Sequence, residues 1–83
     1  MSNITIYSTS TCSACETLTQ WLDKIGQDYT KKITDTDDAI MMEFMSVNDG
    51  MVGVPFTVIT SDDGTETKIS GYDQKKFKEA LKI

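Results

Sequence analysis

Histidine and arginine are both absent from this 83-residue chain, whose cationic side chains are eight lysines. No Ser-His or Cys-His nucleophile can be assembled, no imidazole can ligate a metal, and no guanidinium fork can grip a carboxylate or phosphate. Apolar runs stop at about four residues, as in Ala39-Ile40-Met41-Met42, against the roughly 20 that a membrane-spanning helix needs. Thirteen acidic residues outnumber the lysines, the formal charge is −5, and no basic stretch exists that could neutralise a nucleic-acid backbone. Proline occurs once and glycine five times, too few for a disordered or collagenous chain. Met1-Ser2-Asn3-Ile4 has neither the basic flank nor the apolar segment of a secretory leader, so a cytoplasmic location is the expectation. Whatever chemistry the protein performs falls to thiols, carboxylates, lysines and hydroxyls.

A chain of this length is expected to form one domain over residues 1–83, with a thin core. Ile4-Thr5-Ile6-Tyr7 is a β-branched and aromatic run that reads as a strand feeding a Ser/Thr-rich loop. Ala14, Leu18, Trp21 and Ile25, with Cys15 and Leu22 beside them, recur at helical spacing up to a glycine stop at Gly26. A weaker strand over Tyr29 to Ile33 follows. The Asp35-Thr36-Asp37-Asp38 cluster then offers capping oxygens for a second helix from Ala39 to about Val47, with Ile40, Phe44 and Val47 on one face and Asn48-Asp49-Gly50 ending it. Val52-Gly53-Val54-Pro55 leads into a strong strand, Phe56 to Thr60. Asp62-Asp63-Gly64 turns the chain back as Glu66 to Ser70. Gly71-Tyr72-Asp73 opens a last helix capped by Asp73, with Phe77, Ala80 and Leu81 as its buried stripe. Lys75, Lys76, Lys78 and Lys82 read as a solvated face suited to that helix's negative C-terminal end. Met41, Met42 and Met45 read as gap-fillers and surface. The order β-α-β-α-β-β-α, a parallel βαβ unit followed by an antiparallel hairpin and a closing helix, predicts an α/β thioredoxin-like fold with a mixed four-stranded sheet.

Cys12-Ser13-Ala14-Cys15 is the constellation with specific chemistry, because it follows a strand and opens a helix. A helix N-terminus presents unpaired amides and the positive end of the macrodipole. Both stabilise a thiolate at Cys12 and would move its pKa from about 8.5 into the range of roughly 3.5 to 7.5. Cys12 would then be the nucleophile. Cys15, one turn on, is placed to attack a mixed disulfide at Cys12 and resolve it. Thr11 and Ser13 offer hydroxyls, but no lysine precedes the pair and Glu16 follows it, so Cys12 is expected to be less acidic than a cysteine with a basic flank. Other readings compete. A structural zinc site would need two chains to supply about four ligands, a purely structural disulfide would close too short a loop to gain much, and the thiols could be ordinary buried cysteines.

Taken together, Tyr7-Ser8-Thr9-Ser10-Thr11-Cys12-Ser13-Ala14-Cys15, Gly53-Val54-Pro55 and Ser70-Gly71-Tyr72-Asp73 resemble the glutaredoxins, including the small glutaredoxin-like proteins and the NrdH-redoxins that supply ribonucleotide reductase. The resemblance spans essentially the whole chain. It implies a dithiol-disulfide oxidoreductase acting on protein or low-molecular-weight disulfides, with catalytic Cys12 and Cys15. It further implies a cis peptide bond at Pro55, strand-like pairing of the Val54 backbone with a substrate segment, and a Gly71-Tyr72-Asp73 turn that holds the carboxylate of glutathione. Thr11, Ser13, Val54, Pro55, Gly71, Tyr72 and Asp73 are thus the substrate or glutathione site, although Asp73 is expected to serve first as a helix cap. No tightly bound cofactor or metal is implied; glutathione is a candidate co-substrate, and the protein is expected to be a monomer. Thr9 to Thr11, Ala14 and Met41-Met42-Glu43-Phe44-Met45 stand where glutaredoxins commonly carry a lysine, an aromatic residue and a basic residue. Thioredoxin reductase is therefore a second candidate reductant. The contrasting reading is a redox-silent binding module that keeps a thioredoxin-type fold.

Overall fold

The structure, a computed structural model, describes residues 3–50 and 53–81. Strand β1 (Asn3–Ser8) is followed by helix α1 (Ser13–Lys24), β2 (Thr30–Ile33), α2 (Asp38–Val47), β3 (Phe56–Thr60), β4 (Glu66–Ser70) and α3 (Gln74–Leu81). The predicted element order is the observed one. Val52 and Lys82, both used in the sequence reading, lie outside the described residues.

The four strands form one mixed sheet in the order β2-β1-β3-β4, with β1 and β2 parallel and the other two pairings antiparallel. Alternation along each strand sends side chains to two cores. On one face Ile4, Ile6, Ile59 and Ile69 meet Leu18 and Leu22 of α1 and Phe77 of α3. On the other, Tyr7 and Phe56 meet Phe44 of α2, with Ile40, Met41 and Val47 packed around them. Met42 and Met45 point to solvent, 72% and 66% exposed.

Local chemistry sets the element ends. Asp37 caps α2, its carboxylate accepting the Ala39 and Ile40 amides. Helix α1 stops in a Schellman arrangement: Gly26 takes φ +76, its N–H reaches the Asp23 carbonyl, and the Gln27 N–H reaches Leu22. Between β3 and β4, Ser61 and Thr65 pair through their backbones and the Asp63 carboxylate accepts the Thr65 amide.

Two details depart from the sequence reading. The buried stripe of α1 is Cys15, Leu18, Thr19 and Leu22, whereas Ala14 and Ile25 are exposed and Trp21 is half-buried. Spacing alone leaves the centre of an apolar face uncertain by about one residue, and packing on the sheet rotates it toward Cys15. In α3, Lys75 and Lys76 occupy the first turn, and Lys78 is the lysine of the last turn. The C-terminal dipole therefore does not account for Lys75 and Lys76, which stand at the positive end of the helix.

Candidate active site

Antiparallel pairing brings the three sequence motifs to one end of the sheet. Tyr7 is opposite Phe56, and Phe56 is opposite Ser70. The loop leaving β1 toward Cys12, the Val54-Pro55 segment entering β3 and the Gly71 turn leaving β4 must therefore emerge side by side. The Val54–Pro55 bond is cis, as the resemblance implied. The Gly71 N–H donates to the Pro55 carbonyl at 2.7 Å, which ties the second motif directly to the third. Gly71 makes that turn at φ +82, a conformation most other residues resist.

Cys12 is the N-cap residue of α1, and its side chain does the work usually done by Ser or Asp. The Cys15 N–H donates to Cys12 Sγ at 3.0 Å. That amide and the positive end of α1 face the Cys12 sulfur, an environment that favours negative charge there. The two cysteines are joined as a disulfide, with Cα atoms 5.2 Å apart. Their exposures differ: Cys12 is half-buried at the surface, and Cys15 is 0% exposed. Thr11 and Ser13 are exposed on either side of Cys12, and the Ser13 carbonyl accepts the Thr17 hydroxyl.

Val54 is half-buried and Pro55 is fully buried beside it. Tyr72 is half-buried, its ring packed edge-on against Trp21 at 6.3 Å between centroids, with the Gln74 side-chain amide on its hydroxyl. Asp73 performs the capping expected of it: Oδ1 accepts the Lys76 N–H at 3.2 Å, and its carbonyl accepts the Phe77 N–H. One amide at the start of α3 is therefore already engaged, while the neighbouring Lys75 and Lys76 side chains are exposed.

Two polar links at this end were not legible in the sequence. The Asp35 carboxylate accepts the Ser10 amide (3.1 Å) and hydroxyl (2.7 Å), fastening the loop before Cys12 to the loop after β2. The Ser10 hydroxyl, with help from its amide, holds the Asp35 carboxyl below its ordinary value against a smaller opposing effect of desolvation. Glu43 of α2 accepts both the Tyr7 hydroxyl and the Lys32 ammonium at 2.6 Å. Lys32 foremost, then Tyr7, lowers the Glu43 pKa; burial foremost, then Glu43, raises that of Tyr7. The parallel pairing of Tyr7 with Lys32 sets both side chains at one level on one sheet face, a register that only the folded sheet reveals. Among the described residues no group of three or more Cys, Asp or Glu converges as a metal site, and no helix is long and apolar enough to cross a membrane.

The glutaredoxin family model matches residues 4–62, which include the cysteine pair and Pro55. Mycoredoxin 1 of Corynebacterium glutamicum is 42% identical over 65 residues, covering 78% of this chain and 77% of that relative. The chain belongs to the glutaredoxin family. Solved structures agree on the fold. The glutaredoxin from Methanosarcina mazei Go1 superposes with a TM-score of 0.80 at 22% identity, covering 98% of this chain and 79% of that one. Methanosarcina acetivorans methanoredoxin gives 0.79 at 24% identity over 98% of this chain and 85% of that one. As a glutaredoxin with an intact Cys12-Cys15 pair, the protein is a dithiol-disulfide oxidoreductase, and the scaffold-only reading falls away.

Proposed function

We propose that Cys12 is the attacking sulfur, that Cys15 is the resolving sulfur, and that a low-molecular-weight thiol returns the pair to the dithiol state. The observation that carries this assignment is the asymmetry of the pair. Cys12 Sγ sits at the start of α1 within reach of the Cys15 amide and of solvent, while Cys15 is enclosed. A substrate disulfide can approach the first sulfur and not the second. Attack by the Cys12 thiolate forms a mixed disulfide and releases one substrate thiolate, which takes a proton from solvent. Cys15, losing its proton, then attacks Cys12 Sγ, and the second substrate sulfur leaves as a thiol. The substrate is oxidant and the Cys12-Cys15 pair is reductant, two electrons in each turnover.

The Val54-Pro55 segment supplies backbone for a substrate strand to pair with, and Thr11 and Ser13 border the entry. The Gly71-Tyr72-Asp73 turn, with Lys75 and Lys76 beside it, supports glutathione as the co-substrate: its carboxylate would meet the remaining α3 amides and two ammonium groups. Asp73 works against tight binding there, so reduction by thioredoxin reductase is the reading to test alongside. The 1–83 chain acts as one glutaredoxin-like domain, as a cytoplasmic monomer. Its physiological acceptors are disulfide-containing proteins, ribonucleotide reductase being the one suggested by the resemblance to redoxins.

Coupled NADPH oxidation on a small disulfide tests the proposal, run in parallel with glutathione and its reductase, with mycothiol and its reductase, and with thioredoxin reductase. Mycothiol is a cysteine thiol on a sugar scaffold without a free carboxylate, so it asks whether the α3 site matters. Turnover is expected with glutathione and not with Cys12→Ser. Turnover with thioredoxin reductase alone would overturn the choice of reductant, and activity surviving in Cys12→Ser would overturn the mechanism.

A further inference from the structure

Resting on the assignment of Cys15 as resolving sulfur, we propose that the buried hydroxyls of Ser8 and Thr57 stabilise the Cys15 thiolate during resolution, by hydrogen bonds made once the disulfide opens.

Cys15 must ionise where no water reaches it, since it is 0% exposed. Burial opposes that charge, and some polar group has to meet it. The buried polar residues among those described are Ser8, Thr19, Thr34, Asn48 and Thr57; no charged side chain is buried with them. Three of the five are already engaged. The Thr19 hydroxyl donates to the Glu16 carbonyl, the Thr34 hydroxyl donates to the Ser8 carbonyl, and Asn48 Oδ1 accepts the Gly50 amide. Ser8 Oγ and Thr57 Oγ1 have no partner at all, although both residues are 0% exposed. Alanine and valine would fill those places without the cost of an unpaired hydroxyl, so the hydroxyls are not there for packing.

Strand register puts the two hydroxyls on the sheet face that α1 covers. Thr57 is directly opposite Ile6, and Ser8 lies two residues beyond Ile6 on the same strand, so Ser8 and Thr57 are diagonal neighbours on one sheet face. It is the face that carries Ile4 and Ile6 against Leu18 and Leu22. In a βαβ unit the helix runs antiparallel to its strands, so α1 begins over the C-terminal end of β1. Leu22 and Leu18 pack with Ile4 and Ile6, so Cys15, at the start of the same buried stripe, is directed toward the Ser8 end of the strand. The polar corner of an otherwise apolar layer thus coincides with the sulfur that must carry charge.

The step balances without a base. Cys15 gives up its proton, the Sγ–Sγ bond to Cys12 forms, and the bond between Cys12 and the substrate sulfur breaks. That sulfur leaves with the electron pair and takes up the proton. The hydroxyls hold the charge on Cys15 between its deprotonation and bond formation. They are positioning residues and form no covalent bond.

Reaction of the reduced protein with 5,5′-dithiobis(2-nitrobenzoate) in a stopped-flow instrument separates the steps. One thionitrobenzoate is released when Cys12 attacks, and a second when Cys15 resolves. Ser8→Ala and Thr57→Val are each expected to slow the second release by about tenfold, the loss expected for one hydrogen bond to a charged group, and to leave the first within about twofold. Ser8→Thr and Thr57→Ser should restore the second phase, and thermal unfolding of the oxidised variants should show no loss of stability. A second phase within about twofold of wild type in both variants would overturn the proposal, as would equal slowing of both phases. Cys15→Ser must abolish the second release whatever the hydroxyls do; if it does not, the dithiol assignment fails and not this inference alone.

Discussion

Against one face of the sheet, α1 and α3 press Leu18, Leu22 and Phe77 onto isoleucines from three strands; against the other, α2 sets Phe44 between Tyr7 and Phe56 and ties Glu43 to Tyr7 and Lys32. Among the described residues the first face buries no charged side chain and leaves the Ser8 and Thr57 hydroxyls unpaired, while the second closes around an ion pair at its rim. The face behind the cysteines is thus packed with buried apolar side chains, and Cys15 is enclosed there with Leu18 and Leu22 of the same helix. The α2 face is held in part by polar contacts, Glu43 with Tyr7 and Lys32, that bulk water can compete for.

Cys12→Ser separates chemistry from packing most sharply: it is expected to abolish turnover in the coupled assay while leaving far-ultraviolet circular dichroism unchanged on both faces. Phe77→Ala is the next largest change. Phe77 is 0% exposed, with its ring 6.0 Å from that of Trp21, and its removal should cost about 3 to 5 kcal/mol in urea unfolding. A domain of this size has a total stability of about 4 to 12 kcal/mol, so much of the population could unfold. Phe44→Ala, on the smaller and more open face, should fall at the low end of that range, about 3 kcal/mol; a larger loss than for Phe77→Ala would reverse the ranking of the two cores. Asp37→Ala removes the α2 cap and should cost about 1 kcal/mol with little effect on turnover.

The smallest effect is one of pH. The Glu43 carboxyl is held below its ordinary value in the folded protein, chiefly by Lys32 and then by Tyr7. Its stabilisation is therefore complete above the unfolded value of about 4.3 and is lost as the pH falls through the lower folded value. Glu43→Gln should flatten the stability profile across that acid range. Among the described residues the cysteine-bearing face buries no carboxylate; an unchanged acid limb in Glu43→Gln would assign it elsewhere, with Asp35 the first candidate because Ser10 lowers its pKa as well.

Much of this arrangement was readable before any coordinates. Ile4 to Tyr7, Phe56 to Thr60 and the Asp-rich start of α2 are local signals, and local backbone preference carried them through to the structure. The Cys12-Cys15 spacing at a strand-helix junction was also enough to name the chemistry. The rotation of α1 was not readable, because Ala14, Leu18, Trp21 and Ile25 make as good a stripe on paper as Cys15, Leu18 and Leu22, and only the isoleucines beneath decide between them. Lys75 and Lys76 were grouped with Lys78 and Lys82 as one face, although the Asp73 cap already sets them in the first turn of α3, at its positive end.

The amino-acid order by itself determined the succession of elements, the caps, the turns and the reactive pair, since each depends on residues within a turn or two of one another. Tertiary structure decided what lies beside that pair. Pairing of β1 with β3 and β3 with β4 brought Cys12, Pro55 and Gly71 to one end of the sheet, and the docking of α1 enclosed Cys15 on the sheet face that carries Ser8 and Thr57. Pairing of β1 with β2 set Lys32 beside Tyr7, and the packing of α2 brought Glu43, 36 residues from Tyr7, within hydrogen-bond reach of both. The physical reason is that burial and strand register are properties of distant segments meeting, and a polar side chain becomes either a surface group or an enclosed one only when they do.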